Sequence, residues 1–232
     1  MQEDSEESGS VYSLTAIKSD TRLFLIHHEG KRSAEDAIKL FEEIEKIRDV
    51  SSPIPVFVSD DWDAFEEGLI NVYGQIELSE YKGVGRKPLP KLIPLEVLKY
   101  IKVYKKRVKG YVVSTVSRIV FGNTDEILEM LGACSEDYIG TSYVERINLT
   151  IRTCLARFIR KGVNFSKTIT MHQRTLDLFQ AWYNFIKPHD SLKVKVDSQN
   201  RKWLQRTPAM AENITDHIWT LKELLTFRIP VQ

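Results

Sequence analysis

One segment, TSYVERINLTIRTCLARFIRK at residues 141–161, carries a carboxylate, an amide and a guanidinium at spacings that matter for a helix. Val144, Ile147, Ile151, Leu155 and Phe158 recur at three- and four-residue intervals and form the apolar stripe that must face a core. Glu145 is off that stripe. At about 100° per residue, Glu145 and Arg152 project within roughly 20° of one another, two turns apart, with Asn148 between them and the core edge. A second candidate is the apolar run Ile54 to Val58, read as a buried strand whose carboxyl end emerges as Ser59-Asp60-Asp61. An acid at a strand end and an acid on a helix are the ligand types that hard divalent ions require. Two such ions about 4 Å apart activate an attacking oxygen and stabilise a leaving one in phosphoryl transfer. On this reading Asp60 and Glu145 are the catalytic acids and metal ligands, Arg152 contacts a nucleic-acid phosphate, and Asn148 holds a ligand or a backbone oxygen. Asp61 and Asp63 compete with Asp60, since any of three acids in SDDWD can point into a site. The plainer reading of the helix face is an ordinary polar flank.

The elements that must position these residues are legible from period and punctuation. Val11 to Ile17 and Leu23 to Glu29 are β-rich runs separated by the polar break KSDTR, which predicts a hairpin. Ser33 caps a helix with Asp36 three residues on, and Ala37, Leu40, Phe41, Ile44 and Ile47 keep helical spacing until Ser51-Ser52-Pro53. A helix from Trp62 to about Tyr73 follows the Asp60 strand. Tyr81 to Pro94, rich in Gly, Pro and Lys, reads as a loop. Val97 to Val108 and Tyr111 to Phe121, joined at Lys109-Gly110, read as a second hairpin. Asn123 caps a short helix, Ser142 opens a long one through Ile159, another spans Ile169 to Ile186 before Pro188, and a last runs from about Thr215 to Leu225. The expected organisation is an acidic disordered leader at residues 1–10, a core over 11–192, and a C-terminal tail over 193–232 with one helix.

The 33 basic and 32 acidic residues nearly cancel, so distribution decides what they mean. Lys82 to Arg118 holds eleven Lys or Arg against one acid, Glu96, and Arg146 to Arg174 holds seven with none. Either these are solvated faces or they form a phosphate-facing surface, and two stretches so emptied of acid favour the second. Lys105, Lys106, Arg107 and Arg146 join Arg152 as the DNA-contacting candidates. Cys134 and Cys154 have no Cys or His neighbour at zinc-ligand spacing and are too few for a disulfide framework. The N-terminus has no apolar run, and no stretch of about 18 apolar residues occurs, so a cytoplasmic protein without a membrane partner is expected. A nucleophile elbow, a phosphate-cradling Gly-rich loop and paired metal-binding histidines are missing; His27 and His28, adjacent on a strand, point to opposite faces. Trp182, Tyr183, Phe185, Trp203 and Trp219 either pack or stack on flipped bases, and packing is the commoner use.

The order of motifs carries a resemblance. YVERINLTIR, then FSK at Phe165 to Lys167, WYNFIKPHDSL from Trp182, RTPAM from Arg206 and TDHIWTLKELL from Thr215 succeed one another as in the insertion-sequence-one-type family of DDE transposases. Upstream, GSVYSLTAIKSDTRLF, GKRSAEDA and VSDDWDAF are similar to that family's hairpin, first helix and second-acid segment. The resemblance runs from Gly9 to the C-terminus. It implies an α/β fold, a ribonuclease-H-like mixed sheet flanked by helices, with a C-terminal helical extension. It also implies two Mg2+ or Mn2+ ions, double-stranded DNA as element ends and target, and at least a homodimer. Asp60 matches the family's second catalytic acid, Glu145 the third, and Arg152 the basic residue that touches the element end. His189, in the PH-x-SL turn, either assists at the site or caps a helix end.

Two departures stand out. Ser59-Asp60-Asp61 replaces the usual SDG or TDG. The first acid of the family lies on a strand before the hairpin, where this chain has only QEDSEESGS; neither Asp4 nor Asp20 has the apolar setting of a central strand. The expectation is therefore an N-terminally truncated core, first strand missing, inactive alone, and arising as a fragment, a decayed copy or a second reading frame joined to an upstream segment. The alternative function is a non-catalytic DNA-binding or subunit-interaction remnant. A nuclease of the same superfamily would share the acids but not the motif series.

Overall fold

The computed structural model describes residues 11–78, 83, 86–135, 139–159, 162–196 and 202–228; the expected leader at 1–10 lies outside them. In chain order the elements are β1 (Tyr12–Ile17), β2 (Phe24–Gly30), α1 (Ala34–Ile47), β3 (Val56–Asp60), α2 (Asp63–Val72), β4 (Gly74–Glu77), β5 (Lys91–Pro94), β6 (Lys99–Val108) and β7 (Tyr111–Phe121). There follow α3 (Thr124–Leu131), α4 (Ser142–Cys154), α5 (Ile169–Phe185), β8 (His189–Lys195), β9 (Trp203–Arg206), α6 (Pro208–Ala211) and α7 (Leu221–Thr226). The fold is mixed α/β. Its strands fall into four sheets among the described residues: β1-β2, β3-β6-β7, β4-β5 and β8-β9. The chain divides into two compact units. One joins the residues up to Glu29 to those from Tyr143 onward, and the other is Gly30–Ser142.

The second unit is built on the mixed sheet. β3 runs parallel to β6, and β6 antiparallel to β7, so β6 is the central strand and buries Tyr100, Ile101, Lys102 and Val103. β3 lies at the edge and is half-buried, not fully buried as its apolar run suggested. Side chains alternate across β3. Phe57 meets Phe41 of α1 edge-on, ring centroids 5.5 Å apart, while Val56 and Val58 pack with Ile101, Ile127 and Ile139. Helices thus cover both faces. α1 starts where the sequence requires: Ser33 Oγ accepts from the Asp36 N–H, and the Asp36 carboxylate accepts from the Ser33 N–H. α2 approaches α1 closely at Gly68, where a Cβ would come within 3.0 Å of the Ala37 backbone. Lys109 and Gly110 both have positive φ, 51° and 86°, the conformation of a two-residue hairpin turn that matches strand twist. The expected loop Tyr81 to Pro94 instead ends in β5, paired antiparallel with β4 from Gly74↔Pro94 to Glu77↔Lys91.

The first unit has its core where α4 and α5 meet β2: Phe24, Ile147, Ile151, Leu176, Phe179 and Tyr183 are buried, with Val144, Leu155 and Phe158 packed against them. The apolar stripe of α4 is therefore used as its spacing predicts. The helix is shorter than expected. Thr150 and Thr153 turn their hydroxyls back onto the Arg146 and Leu149 carbonyls, a bond that competes with the helical ladder. The chain leaves the helix at Leu155 (φ −112°, ψ 108°) for a single 3-10 turn, Ala156–Phe158. The last helix is shorter too, and the tail over 193–232 holds β9 and α6 besides. Thr220 caps α7 with Glu223, and the Trp219 N–H reaches out to the Phe185 carbonyl at the end of α5, which takes residues 215–219 off a helical path.

A backbone edge of β2 is closed by side chains. Asn184 accepts from the Phe24 N–H and donates to the Phe24 carbonyl, both at 2.9 Å and buried, while Gln180 donates to the Phe24 and Leu25 carbonyls. Replacing Asn184 with Leu should leave the Phe24 N–H buried and unpaired, Gln180 still serving its carbonyl, and should cost about 1–3 kcal/mol. Urea unfolding followed by tryptophan fluorescence reads the loss; an unchanged midpoint would mean that the clamp is dispensable.

Candidate functional site

The second unit holds Asp60, exposed at the carboxyl end of β3 and in register with Val103 of β6. Its backbone carbonyl accepts from the Trp62 N–H and from the Ser59 hydroxyl, so the turn into α2 is held locally. Ser59 Oγ also lies 2.7 Å from the Tyr100 hydroxyl; burial pushes that phenol up to about 12, against the opposing pull of the Ser59 bond. Asp61 is exposed in the bend after the strand. Asp63, the third acid of SDDWD, is committed elsewhere. The buried Lys102 ammonium lies 2.8 Å from Asp63 and 2.7 Å from Glu66. Burial alone would lower the Lys102 pKa, but the hydrogen bonds of the two carboxylates more than offset it and hold it well above the ordinary lysine range. Lys102 therefore stays charged. Beside this triad a polar cleft of about 320 Å3 is lined by Glu66, Lys102, Tyr104 and Arg118.

The first unit holds Glu145, exposed in the first turn of α4 and off its buried stripe, as its spacing predicts. Arg146 is exposed and Arg152 half-buried. Asn148 is half-buried, and its side-chain carbonyl accepts from Thr15 Oγ1 at 3.0 Å, tying α4 to β1. His189 caps no helix. It opens β8, its ring lies edge-on against Tyr183 with centroids 4.6 Å apart, and its Nε2 is buried without a hydrogen-bond partner. Burial, with Lys187 and Arg22 adding to it, pushes its pKa down to about 4, so it is neutral at pH 7. Tyr183 is core, and Trp219 and Phe185 pack on one another at 4.6 Å. Among the described residues no group of three or more His, Cys, Asp or Glu is gathered to hold a metal ion. Asp60 and Glu145 have the ligand chemistry of a divalent-ion site; Asp60 belongs to the second unit and Glu145 to the first. No helix among the described residues is long and apolar enough to cross a membrane.

A cluster in the first unit escaped the sequence reading. His27 is buried between Glu29, 2.8 Å from Nδ1, and Asp177, 3.1 Å from Nε2. Burial would lower the His27 pKa, and the bond and charge of Glu29, with Asp177, overcome it, so the imidazolium is held above its ordinary value. Near it, His172 stacks on Phe158 at 4.1 Å, and burial lowers its pKa. The pairing of His27 with Glu29 was available from the two-residue period of a strand; that of Asp177, 150 positions on, was not. The Lys102 pairs were likewise hidden, since Lys102 was counted among the surface charges of a basic run.

Comparison with family models, with characterised proteins and with solved structures finds no match to this chain.

The histidines give opposite pH responses. The lowered His189 pKa means that below the ordinary value of about 6.5 the unfolded chain takes a proton that the fold refuses, so stability is lost as pH falls from there toward 4. The raised His27 pKa contributes stability that is fully present below about 6.5 and is lost as pH rises through its folded value. Melting temperature against pH should therefore fall less steeply on acidification in His189→Phe, and His27→Gln should lose most stability at the acid end. Parallel profiles for wild type and both variants would contradict these assignments.

Proposed function

We propose that the chain is catalytic-core material of a DDE-type DNA transposase, with Asp60 and Glu145 as two of the acids that hold Mg2+ or Mn2+ for DNA cleavage and strand transfer at element ends. The reading rests on the ordered motif series. The observation that carries it is that both assigned acids are exposed, Asp60 at the carboxyl end of a parallel strand and Glu145 on the non-core side of its helix, where a hydrated ion and DNA have access. Arg152, two turns from Glu145, contributes a phosphate contact, and the exposed Arg146 extends the basic surface along the same helix. The assembly is a homodimer or higher, and the sheet belongs to the ribonuclease-H-like class. Asp61 stands as the alternate for Asp60. His189, neutral and facing Tyr183, has the position of a packing residue rather than a proton donor.

A second reading, a DNA-binding remnant without catalysis, is favoured by one observation. The basic residues of β6 and its turn, Lys106, Arg107 and Lys109, are exposed on a hairpin far along the strand from the buried Lys102 triad, and phosphate binding there requires neither acid.

The deciding assay is strand transfer of labelled element-end DNA, with Mg2+ or Mn2+, by the longest translation product that contains this chain. Asp60→Asn and Glu145→Gln should each reduce joining by more than the 10- to 100-fold (order of magnitude) typical of losing an outer-shell partner, with DNA binding retained. If both variants join DNA as well as the parent, the acids are not ligands. If no product joins DNA although duplex is bound, the remnant reading takes over.

A further inference from the structure

The β6–β7 hairpin continues past the body that supports it. From Lys99 to Val103 the central strand is covered, and Ser117 still ties β7 inward by donating to the Ile139 carbonyl. Beyond that point, Lys106 to Val108 and every residue from Tyr111 to Val116 are exposed, so neither face of the ribbon is packed. The bare segment is apolar as well as basic: Tyr111 is 79% exposed, and Val112, Val113 and Val116 about half. A two-stranded ribbon with both faces in water is only marginally stable by itself, and an exposed apolar patch rimmed by charge marks a surface that acquires a partner.

We propose that the distal half of this ribbon is a docking arm that enters the major groove of duplex DNA. The proposal deepens the DNA-processing reading and rests on it for the identity of the polyanion. Charge complementarity selects the occupant. Between Tyr104 and Arg118 lie Lys105, Lys106, Arg107 and Lys109 and not one acid, so a second copy of the same ribbon is repelled and a phosphate backbone attracted. Register spreads these cations over the ribbon. Lys106 is opposite Ser114 and Lys105 opposite Thr115, which puts the two lysines on alternate faces, each beside a hydroxyl. Of the lysines nearer the body, Lys102 is already neutralised by Asp63 and Glu66, whereas Lys106, Arg107 and Lys109 at the tip are exposed.

Dimensions agree. Two strands about 4.8 Å apart with side chains fit a major groove about 12 Å wide, which admits a β-ribbon. The tight Lys109-Gly110 turn keeps the tip narrow, and a bulge between Lys106 and Arg107 bends it. In the docked form the lysines and Arg107 take phosphates on the groove walls, while Tyr111 and Val112 lead into the groove. A-form RNA, whose major groove is deep and narrow, does not admit such an arm.

The test is anisotropy of a labelled mixed-sequence duplex, titrated with the full chain across a range of salt. A tip variant combines Lys106→Ser, Arg107→Ser and Lys109→Asn, the last chosen because asparagine tolerates the positive φ of the turn. A matched control removes three exposed charges elsewhere, Lys39→Gln, Lys46→Gln and Lys222→Gln. Circular dichroism melts verify that both remain folded. Three lost phosphate contacts at about 0.9 each should flatten the salt dependence of log K by about 2.7 and weaken low-salt binding at least ~10-fold, with the control near wild type. Tyr111→Ser with Val112→Ser should weaken DNA binding at an unchanged salt slope, and duplex RNA should bind less tightly than DNA. If wild type binds DNA and the tip variant matches it, the arm is refuted and the DNA reading stands. If RNA duplex binds as well as DNA and the tip pair is silent, groove entry is refuted. If wild type binds no duplex but retains polyglutamate through the tip cations, both the arm and the DNA reading fail in favour of an acidic protein partner.

Discussion

The backbone of Phe24 is the point on which the first unit turns. Its side chain is buried among Phe179, Tyr183 and the stripe of α4, while its N–H and carbonyl are held by Asn184 and Gln180 of α5. A strand backbone in an apolar interior needs partners for every polar group, because an unpaired one forfeits its hydration. Here a helix supplies them through amide side chains, which carry donor and acceptor in one group and imitate a neighbouring strand. Once α5 is locked to β2, its aromatic face dictates where α4 lies, and with it which side of α4 is left for Glu145 and Arg152.

The second unit has a different constraint. Lys102 is in the middle of the central strand, between Ile101 and Val103, where an ammonium is costly unless paired. Asp63 and Glu66 lie on successive turns of α2 and reach it together, so the ion triad sets how α2 packs on the sheet just after the Asp60 turn. All three acids of SDDWD are exposed, and of them Asp63 is the one paired with Lys102. The same triad separates the covered half of the β6–β7 ribbon from its bare, basic half.

Much of the local structure was legible. The Ser33–Asp36 capping box, the Asn123 cap of α3, the Lys109-Gly110 turn and the stripe of α4 each depend on neighbours within a few positions, and each is where its residues put it. The end of α4 is set by Thr hydroxyls returning to carbonyls four residues back, whereas the start of α7 and the strand Lys91–Pro94 depend on partners farther off, Trp219 reaching Phe185 and β5 finding β4. The bond from Thr15 to Asn148, across 133 positions, is equally invisible to local pattern.

By itself the sequence determined the mixed α/β character, the segregation of basic charge, the acids Asp60 and Glu145 on their respective elements, and the motif order that motivates the functional proposal. The motif order rests on a resemblance; the others are properties of periodicity and composition, which short-range sterics and the burial of apolar stripes convert directly into elements. Only the tertiary structure decided that the chain folds as two units, that Asn184 closes the edge at Phe24, that Lys102 engages Asp63, that His27 reaches Asp177, and that the tip of the basic hairpin is bare. Each of these is a pairing or its lack between groups far apart in sequence, and a polar side chain does not specify its distant partner; the partner is chosen when the packed core brings the two within hydrogen-bonding reach.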